Sequence, residues 1–110
     1  MLSIYLYLGE KMETKHELLK KALAISWAWR ATGKESHAGF HACMEHFRVY
    51  APEEVGAKVG RASLHYKEPI LRWANQAFQE LQATAPEIAS LVGGTSPHIE
   101  RLTALLEEVA

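Results

Sequence analysis

Along most of this chain apolar residues return every three or four positions, the period of an α-helix with one buried face. Thr14 followed by Glu17 has capping-box spacing and opens the first such stretch. Leu18, Leu19, Ala22, Leu23, Ile25, Ser26 and Trp29 then cover one broad face, and Gly33 suits the C-cap. Ser36 caps a second stretch ending at Tyr50, with Phe40, Cys43, Met44, Phe47 and Tyr50 on one side. Pro52 suits the first turn of a third helix, with Glu53 and Glu54 at its positive end. Pro69 interrupts or restarts the pattern; Ile70, Leu71, Ala74, Ala77, Phe78 and Leu81 form the next stripe. Thr84 and Pro86 start a short helix closed by Gly93 and Gly94. Ser96 and Pro97 open the last, which carries Ile99, Leu102, Leu105, Leu106 and Val109. The pattern predicts an all-α, single-domain helical bundle over residues 12–110, with about five helices and one of them broken near Pro69.

Residues 1–11 have a different period. Leu2, Ile4, Leu6 and Leu8 alternate with Ser3, Tyr5 and Tyr7, as a strand would. A lone strand in a helical chain has no partner, and an unpaired edge is a liability. Three fates are open to this arm: pairing with its copy in a second subunit, packing along the bundle, or disorder. It lacks a basic leader and a small-residue cleavage site, so it does not read as a signal peptide. No apolar run reaches the ~18 residues of a membrane span.

Composition supports helices and narrows the chemistry. The chain has no aspartate and one asparagine, Asn75, against sixteen alanines, thirteen leucines and thirteen glutamates. Asp and Asn favour caps and turns, whereas Ala, Leu and Glu lose little on entering a helix. Without Asp there is no aspartate partner for a catalytic histidine and none of the aspartates usual at Mg²⁺ sites. At 110 residues, 48% hydrophobic and 23% charged, the chain is long enough for one core. A single cysteine, Cys43, excludes an internal disulfide and fits a reducing cytoplasm. The net charge of −1 is uneven: eleven Lys and Arg face seven Glu between Lys11 and Arg72, while Arg101 alone faces five Glu from Trp73 onward. Such asymmetry lets one face meet an anionic partner.

Residues 52–73 carry the sharpest local pattern. Val55 and Val59, then Gly56 and Gly60, are four apart, and a basic-aromatic run follows the second glycine. With Gly60 as the turn, Tyr66 would point inward, leaving Arg61, Ser63, His65 and Lys67 for phosphates and base edges, with Arg72 beyond. The acidic–apolar–small–glycine–polar order of residues 52–67 resembles helix-turn-helix regulators, which implies sequence-reading DNA binding. Pro69 falls where that family's second helix needs a core residue. The same glycines also fit a close-packing seam, inside the domain or across a dimer, because small residues let another backbone approach.

His37, His41 and Glu45 follow one another at intervals of four and project from one side of a helix, the candidates for a divalent ion with His16 as a further ligand. A solvated histidine-rich flank explains the same spacing. No catalytic motif is present, and neither a cofactor nor an enzymatic role is expected. Cys43 lies on an apolar face, where a buried inert thiol is expected. Trp27 falls near a helix edge beside Lys20, Lys21 and Arg30, as an interface anchor does, or else packs under the arm. These features point to a non-enzymatic, self-associating cytoplasmic module that binds a protein partner, as a regulator, a small inhibitor or an assembly subunit. Tyr5, Tyr7, Trp27, Arg30, Gly56 and Gly60 are its expected contacts, and duplex DNA is the alternative partner.

Overall fold

One helix, α1 (Lys15–Thr32), organises the rest, and its sequence shows why. The computed structural model describes residues 13–58 and 64–109. Every residue from Ala22 to Ser26 is buried, and so are Ala28 and Ala31, so α1 is enclosed on nearly all sides rather than along one stripe. The alanines at 22, 24, 28 and 31 allow this, because a methyl group lets neighbouring helices approach the axis closely. Leu19, Leu23 and Ile25 fill the spaces between; full burial of each contributes roughly 1.5–3 kcal/mol. The start of α1 is fixed by a complete capping box: Thr14 Oγ1 accepts the Glu17 N–H at 3.1 Å, and Glu17 Oε1 accepts the Thr14 N–H at 2.8 Å. Gly33 is its C-cap, in an ordinary right-handed conformation.

Against α1 pack α2 (His37–Tyr50), α4 (Lys67–Thr84) and α6 (Ser96–Glu108). From α2 come Phe40, Cys43, Met44 and Phe47; from α4, Ile70, Ala74, Ala77 and Leu81; from α6, Ile99 and Leu102. Ser36 caps α2 as its position suggests, its Oγ accepting the Gly39 N–H at 3.0 Å. Aromatic contacts tie the layers: Trp73 meets Phe47 edge-on at 5.6 Å between centroids, and Trp29 meets Phe78 at 5.0 Å. The sole asparagine joins α4 to α1, Asn75 Oδ1 accepting the Trp29 indole N–H at 3.0 Å. Two short helices complete the described residues, α3 (Glu53–Lys58) and α5 (Pro86–Ala89), with a 3₁₀ turn at Leu64–Tyr66. The described residues are thus helical and contain no strand, as the periodicity predicts.

Three local expectations need correction. The break expected near Pro69 lies ahead of it, because Pro69 sits in the first turn of α4, where a missing N–H costs no intrahelical bond. Thr84 closes α4 instead of starting α5. Ala85 separates the two helices at φ −147° and ψ 70°, out of the helical region that a following proline disfavours. Leu71, placed in the buried stripe by its spacing, is 40% exposed. No described helix is long and apolar enough to cross a membrane.

Candidate functional site

The Ala85–Pro86 corner aims α5 back toward the start of α1, and a concavity lies there. It is a groove of about 500 Å³ between the first turns of α1, the α4–α5 corner, and α6. Leu18, Ile88, Leu91 and Leu105 line it, each half-buried, over the buried Leu19. Lys15 and Glu87 also line it, giving one charge of each sign. A site of this kind recognises apolar side chains by burial and sets direction through a few polar groups.

The wall carrying Ile88 and Leu91 is strapped to α1 by the loop that follows it. Leu91 and Val92 continue the turn by donating their N–H groups to Ile88 and Ala89 carbonyls at 3.0 and 3.1 Å. Gly93 N–H then donates to Ser26 Oγ at 3.2 Å, and the Arg30 guanidinium donates to the Gly94 carbonyl at 3.1 Å. Both glycines sit close to neighbouring groups. A Cβ on Gly93 would collide with the His98 imidazole, and one on Gly94 would stand 3.2 Å from the Arg30 backbone nitrogen. His98 is held there by Thr95 Oγ1, 2.7 Å from its Nδ1. Arg30, an expected partner contact, is half-buried and also holds this loop through the Gly94 carbonyl.

A second cleft of about 360 Å³ lies on another side of α1, lined by Glu13, Glu17, Lys20, Lys21, Tyr50 and Glu53 among others. Lys21 pairs with Glu13 across it at 3.1 Å. Its charged rim is largely self-neutralised, so it offers less to an apolar partner than the groove does.

The other expected site residues are dispersed. Trp27 is half-buried, with one face covered by the His46 ring stacked at 4.3 Å and 11°. Gly56 seats no close helix contact among the described residues: a side chain there would meet none of their atoms within 4 Å. Tyr5, Tyr7, Gly60, Arg61 and Ser63 lie outside the described residues. Lys67 is the first residue of α4 rather than the end of a separate reading helix; its ammonium donates to the Lys34 carbonyl and lies 6.0 Å from the centre of the Phe40 ring. Arg72 pairs with Glu68 at 3.1 Å, both exposed, and His65 is exposed in the 3₁₀ turn.

His37 and His41 lie with their rings parallel, 6.3 Å apart, and His41 Nε2 is 3.4 Å from Glu45 Oε2. No three of His, Cys, Asp and Glu among the described residues are grouped to hold a metal ion. The geometry joins His41 to Glu45 as a surface pair and leaves His16 on α1, apart from them. Cys43 is buried at 5% exposure, as its apolar face predicts.

The groove itself is absent from the sequence reading. Leu18 and Leu105 look like core residues by spacing, and nothing marks Ile88 and Leu91. The available signal is a surplus: six of the eight residues from 85 to 92 are apolar, around a helix of only four residues, more than so short an element can bury. No family model, curated protein or solved structure matches this chain.

Proposed function

We propose that this chain is a non-enzymatic, cytoplasmic protein-binding module, acting as a regulator, inhibitor or assembly subunit. It takes an apolar segment of its partner into the groove between α1, α5 and α6. One observation carries this: four aliphatic side chains, Leu18, Ile88, Leu91 and Leu105, converge on one concavity and stay half-open. Apolar surface left concave on a helical body gains free energy when another apolar surface covers it. Lys15 and Glu87 supply the polar groups that would set the direction of the bound segment.

Self-association is the second element, motivated by Val49 and Leu71, large apolar side chains left 63% and 40% exposed. Light scattering that gives the monomer mass at every concentration would remove it. Duplex DNA is the competing partner. The engagement of Lys67 with Lys34 and of Arg72 with Glu68 weighs against it. A duplex shift that weakens steeply with salt and is lost in Lys67→Ala would replace the protein-binding role.

The test is selection of peptides from a random display library on the full chain, followed by measurement on variants. Selected peptides should be rich in spaced aliphatic and aromatic residues. They should lose at least tenfold in affinity for Leu91→Glu, where a charge would be desolvated on binding, and keep it for Trp27→Ala. Peptides indifferent to Leu91→Glu would refute the groove as the binding site.

A further inference from the structure

We infer that His37 and His41 are half of a zinc site, which a second copy of this chain completes with the same two residues. This site is separate from the groove and from the apolar contacts proposed for self-association, and it is tested apart from both.

The pair has the spacing that a chelate on one helix needs. Residues four apart are neighbours on the helix surface, and two histidines so placed can share one ion. In α2 both rings are exposed, lie within 11° of parallel and have centroids 6.3 Å apart. Zinc holds imidazole nitrogens at about 2.0–2.1 Å, so two nitrogens on one ion stand roughly 3.4 Å apart. Because the ring nitrogens lie off the centroids, rotation of these exposed side chains closes the gap without moving α2.

Glu45 supports the pair. Its Oε2 is 3.4 Å from His41 Nε2. A carboxylate so placed holds one ring nitrogen as N–H and leaves the lone pair on the other, the arrangement that orients metal-bound histidines. Its charge also offsets the positive end of α2, where His37 is the first residue.

Two nitrogens do not complete the site, because protein-bound zinc is almost always four-coordinate. Among the described residues no three of His, Cys, Asp and Glu are grouped to hold a metal. His46 is stacked on Trp27, and Cys43 is buried. A second copy supplies what is missing: a two-fold axis through the ion brings the same pair from the other side and makes a tetrahedron of nitrogens. The surface beside the pair permits that approach. Ala38 and Ala42 are exposed there, and Val49, 63% exposed, lies further along the same outer side of α2.

Zinc titration of the full chain, prepared without a histidine tag, tests this by calorimetry and analytical ultracentrifugation. One zinc ion should bind per two chains, and zinc should tighten self-association about tenfold or more relative to chelator. His37→Ala and His41→Ala should each abolish both effects, whereas His16→Ala and His46→Ala should keep them. Thermal unfolding in chelator should not change in the His37 and His41 variants, since both side chains are exposed. One zinc per chain with no change in mass would overturn the inference by placing the site within a single chain. Zinc binding that survives His41→Ala, or no zinc binding, would overturn it as well. Equal association in zinc and in chelator would also overturn it, and would leave metal-free self-association standing.

Discussion

A handful of atoms fixes the α5–α6 connection to α1, and their effects are separable. Ser26 is fully buried, and its hydroxyl accepts the Gly93 N–H. Ser26→Ala leaves that buried N–H without its acceptor and should cost about 1–3 kcal/mol in chemical denaturation. Gly94→Val drives added carbons against the Arg30 backbone and the Trp29 side chain, and should cost a similar 1–3 kcal/mol by overpacking. Stability unchanged in both would show that the loop is not held there. Gly93 and Gly94, expected from the sequence to close the short helix, lie beyond its end at Ala89, where Ser90 is the C-cap. The Gly93 contact with Ser26 is not legible in the sequence, because it joins residues 67 positions apart and no local pattern encodes it. The Arg30 bond to the Gly94 carbonyl is hidden for the same reason: a cation near a helix end looks solvent-facing until its carbonyl partner is known.

At the scale of elements, caps were readable and breaks were not. Thr14, Glu17 and Ser36 each announce a helix start by side-chain chemistry within three residues, and each forms the expected bond. Thr14→Ala should lower stability by about 1 kcal/mol. A change within error would mean α1 is held by packing alone. Pro69 marks a boundary by its missing donor, yet the same residue fits a break or a first turn, and only packing on α1 decides. Gly56 is the sharper case. Among the described residues its Cβ position is open, and its φ is not positive, so Gly56→Ala should stabilise α3 by about 0.4–1 kcal/mol. If Gly56 instead seats a second copy, the same substitution will reduce association by light scattering, and the seam across a dimer would regain its place.

Among the described residues the molecule is a hub with an open apolar groove beside α1. Surrounding α1 with α2, α4 and α6 closes the core on most faces, and the alanine positions that permit this are visible in the sequence. The helical class was therefore legible from period and composition together. The groove was not, because its residues come from separate elements: Leu18 and Leu105 read as ordinary core in their own stretches, and nothing marks Ile88 and Leu91. Sequence spacing reports which side of a helix is apolar; it does not report where the neighbouring helices stop. The functional proposal depends on that groove. It is tested most directly by methyl NMR of the full chain during titration with a selected peptide. The largest shifts should fall on Leu18, Ile88, Leu91 and Leu105, with the Leu23 and Ile25 methyls little changed. Shifts centred instead on Val49 or Leu71, or on none of these methyls, would contradict a segment-binding groove.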